Sequence, residues 1–119
     1  MITQEDVEKA LNWLVEHADK AAQARADRLH LEEFTKHLKA DLMNECIALS
    51  ATDAKEASLG AQERYALSHE KYLIHLRGLL EATKQDEKYR WLKEVAMTRV
   101  DVWRTIQSTE RAFSVPRKT

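Results

Sequence analysis

The side chains that could do chemistry in this sequence fall into three groups. His30, Glu33 and His37 are spaced by three and four residues. On a helix that spacing stacks them along one strip, an arrangement that can present metal ligands. A metal site in a helical bundle, however, draws matching ligands from facing helices, typically through repeated Glu-x-x-His motifs. No such repeat occurs here, so the strip reads as solvated polar surface and no metal is expected. Cys46 is the lone cysteine. No histidine stands at helical spacing to activate it, and an apolar stripe passes through it, which describes a small buried thiol rather than a nucleophile. Acid pairs such as Glu32-Glu33 and Asp86-Glu87 are ordinary in charged helices. There is no glycine-rich phosphate loop and no Ser/His/Asp arrangement. Catalytic residues, cofactors and enzymatic activity are all expected to be absent.

The third group is basic. Arg25, Arg28, Lys36 and Lys39 lie in the first half, and Lys84, Lys88, Arg90, Lys93, Arg99 and Arg104 in the second. Tyr89 and Trp91 stand among Lys88, Arg90 and Lys93. Cations pair with phosphates and aromatic rings stack on unpaired bases, so this mixture suits a single nucleic-acid strand. Lys84, Lys88, Arg90 and Lys93 are the candidate strip, and Arg25 and Arg28 form a rival surface. The competing reading makes Tyr89 and Trp91 core residues and lets Asp86, Glu87 and Glu94 neutralise the cations locally. No helix-turn-helix, zinc module or basic zipper points to duplex DNA.

The elements that must carry these residues follow from a lack of breakers. The chain has 119 residues with two glycines and one proline, and the proline is Pro116. A sheet protein would need turn residues every 8–12 positions or so. The fold class is therefore all-α: a long antiparallel helical hairpin with a short middle helix. Thr3 can cap the first helix, with Asp6 three residues on as an acidic capping box. Its apolar face runs Val7, Leu11, Leu14, Ala18, Ala21 or Ala22, and resumes at Leu31, Phe34, Leu38, Leu42, Cys46 and Leu49. The expected helix covers about 4–49, roughly 70 Å at 1.5 Å per residue, with a kink near Arg25–Arg28 as the alternative. Ser50, Ala51, Thr52 and Asp53 make the best linker. A short helix or irregular arm follows to about 67, weakened by Gly60. Ser68 is the expected N-cap of the last helix, about 69–113. Its face starts with Tyr72, Leu76, Leu79 and Leu80 and continues through Tyr89, Leu92, Ala96, Val100 or Arg99, Trp103, Ile106 and Phe113. Residues 114–119 are read as a flexible tail, and the whole chain as a single domain.

A second stripe, Trp91, Val95, Thr98 and Val102, widens the apolar face of the last helix beyond what a two-stranded seam uses. Two long helices bury one stripe each, so the extra width asks for further helices. The expectation is a homo-oligomeric bundle with Trp91, Leu92, Trp103 and Ile106 at the interface. The alternative is a monomeric hairpin in which the middle segment is the third helix. In an oligomer a weak basic strip repeats, and its contacts add through multivalency.

Composition sets the outer bounds. The chain is 44% hydrophobic and 33% charged with net charge −1, which is neither a disordered nor a membrane-embedded profile. No apolar run approaches the roughly 18–20 residues of a membrane span, so no membrane partner is expected. The acidic, polar N-terminus lacks the pattern of a signal peptide. With one cysteine, this predicts a cytoplasmic protein. Residues 1–79 carry 10 Lys and Arg against 14 Asp and Glu, and residues 80–119 carry 9 against 6. Any anion-binding surface is thus expected in the last third.

At the level of helical pattern, the second half resembles the UvsY-type recombination mediators of T-even phages. The likeness is carried by Lys39-Ala40-Asp41-Leu42, by 65–72, by Leu79-Leu80-Glu81-Ala82-Thr83-Lys84, and by Asp86, Tyr89, Trp91-Leu92 and Val102-Trp103-Arg104. It spans roughly residues 10–107 and also extends to small helical proteins encoded near phage recombination genes. The resemblance implies a non-enzymatic, oligomeric, single-stranded-DNA-binding accessory of recombination or replication. Its partners would be a recombinase or a single-strand-binding protein, and its setting a bacterial host cell. The acidic first two-thirds departs from that pattern. The alternative function is a structural or protein-binding helical oligomer (scaffold, adaptor or inhibitor) without direct DNA binding.

Overall fold

A computed structural model of the chain describes residues 1–50 and 57–114. They form three helices: α1 (Gln4–Ser50), α2 (Leu59–Ser68) and α3 (Glu70–Ser114). No strand occurs among the described residues. The linker expected at Ala51–Asp53 lies outside them, as does the tail from 115 onward with Pro116, Arg117 and Lys118. α1 is a single helix of 47 residues that includes Arg25–Arg28. It also runs past the start of that linker and takes in Ser50.

All three helix starts depend on side chains that satisfy free backbone N–H groups. At α1 the expected box forms: the Asp6 N–H donates to Thr3 Oγ1 at 3.2 Å, and the Thr3 N–H donates to Asp6 Oδ2 at 2.9 Å. The backbone N–H of Thr3 is the largest cause that holds the Asp6 carboxyl below its ordinary pKa, followed by the Thr3 hydroxyl. At α3 the expected cap is corrected. Ser68 ends α2, and its hydroxyl donates back to the Arg64 carbonyl at 2.6 Å. The corner residue is His69, extended at φ −67°, ψ 139°. Its Nδ1 accepts the Lys71 N–H at 3.1 Å. An imidazole nitrogen thus does what a serine oxygen was expected to do. α2 has its own serine cap, with Ser58 Oγ accepting the Ala61 N–H at 3.2 Å.

Contacts divide the chain into two units, Met1–Ala22 with Glu87–Thr119, and Gln23–Asp86. In the first, the start of α1 packs antiparallel against the end of α3. Val7 and Ala10 of α1 and Ala96 and Val100 of α3 are buried together, with Ile2, Trp13, Leu14 and Trp103 packed against them. In the second, Arg28 meets Asp86, Thr35 meets His75 and Glu45 meets His69, so numbers rise on α1 as they fall on α3. Ala24, Leu42 and Ala66 are buried there.

The inward residues of α1 follow one alternating three-four pattern: 7, 10, 14, 17, 21, 24, 28, 31, 35, 38 and 42. On α3 the pattern runs 72, 75, 79, 82, 86 and 89, then 96, 100 and 103. This is a heptad seam, narrower than the expected face. Leu11, Phe34, Leu49, Leu76, Leu80, Leu92 and Phe113, all placed on that face by the sequence, are exposed instead. Ala10, His17, Arg28, Thr35, His75 and Asp86 take positions on the seam.

Two outcomes are expected. Gly78 sits in the interior of α3, and a Cβ added there would meet nothing within 4 Å. Gly78→Ala should therefore stabilise the chain by about 0.5–1 kcal/mol, seen as a higher urea midpoint at unchanged slope. Because the folded-state pKa of Asp6 is depressed, its contribution is present above the unfolded value and lost as pH falls through the folded one. The chemical shifts of residues 4–7 should report fraying of the first turn in acid, and Asp6→Asn should remove that pH dependence.

Candidate functional site

The basic residues singled out by the sequence do not come together as one strip. Residues two apart on a helix point in different directions, so Lys88 and Arg90 occupy different faces of α3. Lys84 belongs to the second unit and Lys88, Arg90 and Lys93 to the first. Lys84 is exposed and pairs with Glu81 at 3.4 Å, and Arg90 pairs with Glu87 at 3.2 Å. Lys88, Lys93 and Arg25 are exposed, with no ion-pair partner among the described residues. The two aromatic candidates part company as well. Tyr89 is half-buried on the seam, its ring 6.5 Å from that of His17. Trp91 is 68% exposed.

Arg28, expected as a phosphate contact, retains only 17% side-chain exposure. Its Nε donates to Asp86 Oδ2 and its Nη1 to Glu32 Oε1 at 2.7 Å. The hydrogen bond that Arg28 donates to Asp86, then the one it donates to Glu32, raises the pKa of the guanidinium. Asp86 is 5% exposed, the one charged residue buried among those described. A guanidinium with two carboxylate partners is already neutralised and has little left for a phosphate.

Next along this seam, the Thr35 hydroxyl donates back to the Leu31 carbonyl at 2.9 Å. His75 Nε2 lies 2.7 Å from that hydroxyl and 3.0 Å from the carbonyl. A carbonyl only accepts, so the His75 proton is assigned to Nε2. In the first unit His17 Nδ1 donates to the Trp13 carbonyl at 2.9 Å, and its ring stacks on Trp13 at 4.5 Å between centroids. These polar seam residues were missed by a reading that followed apolar spacing. The signal was there: positions 17, 28, 35, 75 and 86 all continue the three-four count.

Trp103, expected at the contact between copies, packs partly buried against the Val7–Ala10–Ala96–Val100 cluster of its own chain. Ile106 is half-buried. Trp91 and Leu92 are exposed, as are Val95 (47%) and Val102 (40%). The stripe Trp91, Val95, Thr98, Val102 lies on the side of α3 turned away from the seam residues 89, 96, 100 and 103. The apolar width expected from the sequence is therefore real, and the fold of one chain leaves it uncovered.

Cys46 is half-buried beside Tyr65. His30 and His37 are exposed, and the His30 ring lies against Phe34 at 6.5 Å. Among the described residues no group of three or more His, Cys, Asp or Glu is placed to hold a metal ion. No helix among them is long and apolar enough to cross a membrane. No family model, curated protein or solved structure matches this chain.

The Arg28–Asp86 pair makes a stability prediction. Asp86→Ala leaves a mostly buried guanidinium with Glu32 alone and should cost about 1–3 kcal/mol in urea unfolding. Arg28→Met with Asp86→Leu removes both charges and fills the seam. That double variant should be at least as stable as the native chain, because burying an ion pair costs desolvation that apolar packing avoids. A double variant as weak as Asp86→Ala would show that the pair contributes net stability.

Proposed function

We propose that the chain is a non-enzymatic helical scaffold or adaptor that assembles into a homo-oligomeric bundle. The observation that carries this is the exposed row of Trp91, Val95 and Val102 on α3. The seam with α1 is already occupied by other residues, so the row has no partner within its own unit. Large apolar side chains held in line on a preformed helix suit the capture of another helix. The functional groups that carry charge fit the same reading. Arg28 and Asp86 serve the seam, Arg90 and Lys84 are neutralised by neighbours, and Tyr89 faces inward.

A second reading is favoured by one specific observation. Lys88 and Trp91, three residues apart, share the outer side of α3, and Lys88 has no ion-pair partner among the described residues. A cation beside an exposed indole is the minimum needed to hold one nucleotide of a single strand. The recombination-accessory role implied by the phage mediators, with a recombinase or single-strand-binding protein as partner, belongs to this reading.

The two are separated by titrating a fluorescent oligothymidine with the protein at about 50 and 200 mM salt, beside light scattering. The scaffold reading expects an oligomer at tens of micromolar and no salt-dependent anisotropy change. Binding whose salt slope flattens by about 0.7 per lost contact in Lys88→Ala would establish the nucleic-acid reading instead. A monomer that binds no oligonucleotide would overturn both.

A further inference from the structure

We infer that the outer side of α3 from Lys88 to Thr105 is a self-association surface, and that two copies of the chain meet there with their α3 helices parallel. This rests on the scaffold reading and specifies its contact. Counting outward from the seam, positions 88, 91, 95, 98, 102 and 105 repeat in steps of three and four. They form a second heptad stripe on the same helix. Setting 88, 95 and 102 as a positions makes 91, 98 and 105 the d positions. The a positions then hold Lys88, Val95 and Val102, and the d positions hold Trp91, Thr98 and Thr105. β-Branched residues at a favour two-stranded coils, and a single lysine at a tends to set the register.

The flanks decide the orientation. The g positions of this second stripe are Glu87, Glu94 and Asp101, and the e positions are Leu92, Arg99 and Ile106. In an antiparallel pair of identical helices, g faces g. Three acidic side chains of one copy would then confront the same three of the other. In a parallel pair, g of one copy faces e of its mate five residues further on. Glu94 then meets Arg99 twice, once on each side of the two-fold axis, and Glu87 and Asp101 flank the apolar Leu92 and Ile106. Glu94 and Asp101 have no ion-pair partner within the described chain, whereas Glu87 is held by Arg90 at 3.2 Å. Arg99 is exposed and close enough to Asp6 to contribute to lowering its pKa. It therefore sits at the edge between the intrachain seam and the outer stripe. The helix is already formed and backed by α1, so pairing orders only side chains and orients two bodies. Lys88, the free cation of the nucleic-acid reading, would lie inside this contact.

The test uses the full chain with Cys46 replaced by Ser and one new cysteine on the stripe. In a parallel pair equivalent a positions are adjacent, so Val95→Cys should form a disulfide-linked dimer under mild oxidation. Glu94→Arg should weaken association about tenfold or more by facing Arg99 with a like charge. Glu94→Arg combined with Arg99→Glu should restore it, with circular dichroism showing the same helix content throughout. Preferential cross-linking of a Val95→Cys and Thr98→Cys mixture as a heterodimer would show antiparallel pairing, in which a packs against d, and overturn the orientation. An oligomer that neither cross-links through Val95→Cys nor responds to Glu94→Arg would overturn this surface while leaving the scaffold reading intact. A monomer at about 100 μM, far above the dissociation constant of a useful interface, would remove both.

Discussion

Everything in this molecule depends on the narrowness of the seam between α1 and α3. Two antiparallel helices touch along one stripe each, and here the stripe is built from small and polar residues as much as large apolar ones. Ala10, Ala24 and Ala96 bring the backbones together. Arg28, Thr35, His75 and Asp86 occupy positions that a stronger coil would fill with leucine. Such a seam binds weakly per residue and gains its strength from length.

The same narrowness explains the surface. Leu11, Val15, Leu73, Ile74, Leu80, Trp91 and Val95 are exposed because the seam has no room for them. Isolated exposed leucines are common. A row at heptad spacing with acidic residues along one flank and apolar residues and arginine along the other is more specific. The polar seam and the apolar exterior are two sides of one design. Buried charge fixes which residues of α1 meet which of α3, a role well attested for polar residues in coiled coils.

Function follows from how the charges are spent. A cation inside an ion pair and a tyrosine inside a seam are structural parts, whatever their type suggests in a linear reading. With Arg28, Tyr89 and Trp103 turned toward the seam, the end of α3 exposes Trp91, Val95 and Val102. Lys88, next to Trp91, stays exposed, as do Lys93 and Arg25.

The sequence by itself determined the helical class, because helix propensity and the scarcity of glycine and proline act locally. It also determined the Thr3–Asp6 cap, whose partners are three residues apart, and a second stripe at 91, 95, 98 and 102, though not which side of α3 it would face. It placed the start of the last helix one residue early, at Ser68 rather than His69, because serine is the commoner cap and the histidine ring nitrogen was not counted as an acceptor. It could not sort the arginines and aromatics. Arg25 and Arg28 look alike in sequence, but Asp86, 58 positions away, takes only Arg28. Trp91 and Trp103 are both helical tryptophans, but only Trp103 falls on the register that α1 covers. Which side of a helix is inside depends on the partner that lies against it, and that partner is chosen by contacts distant in the chain. Only the tertiary structure decided it.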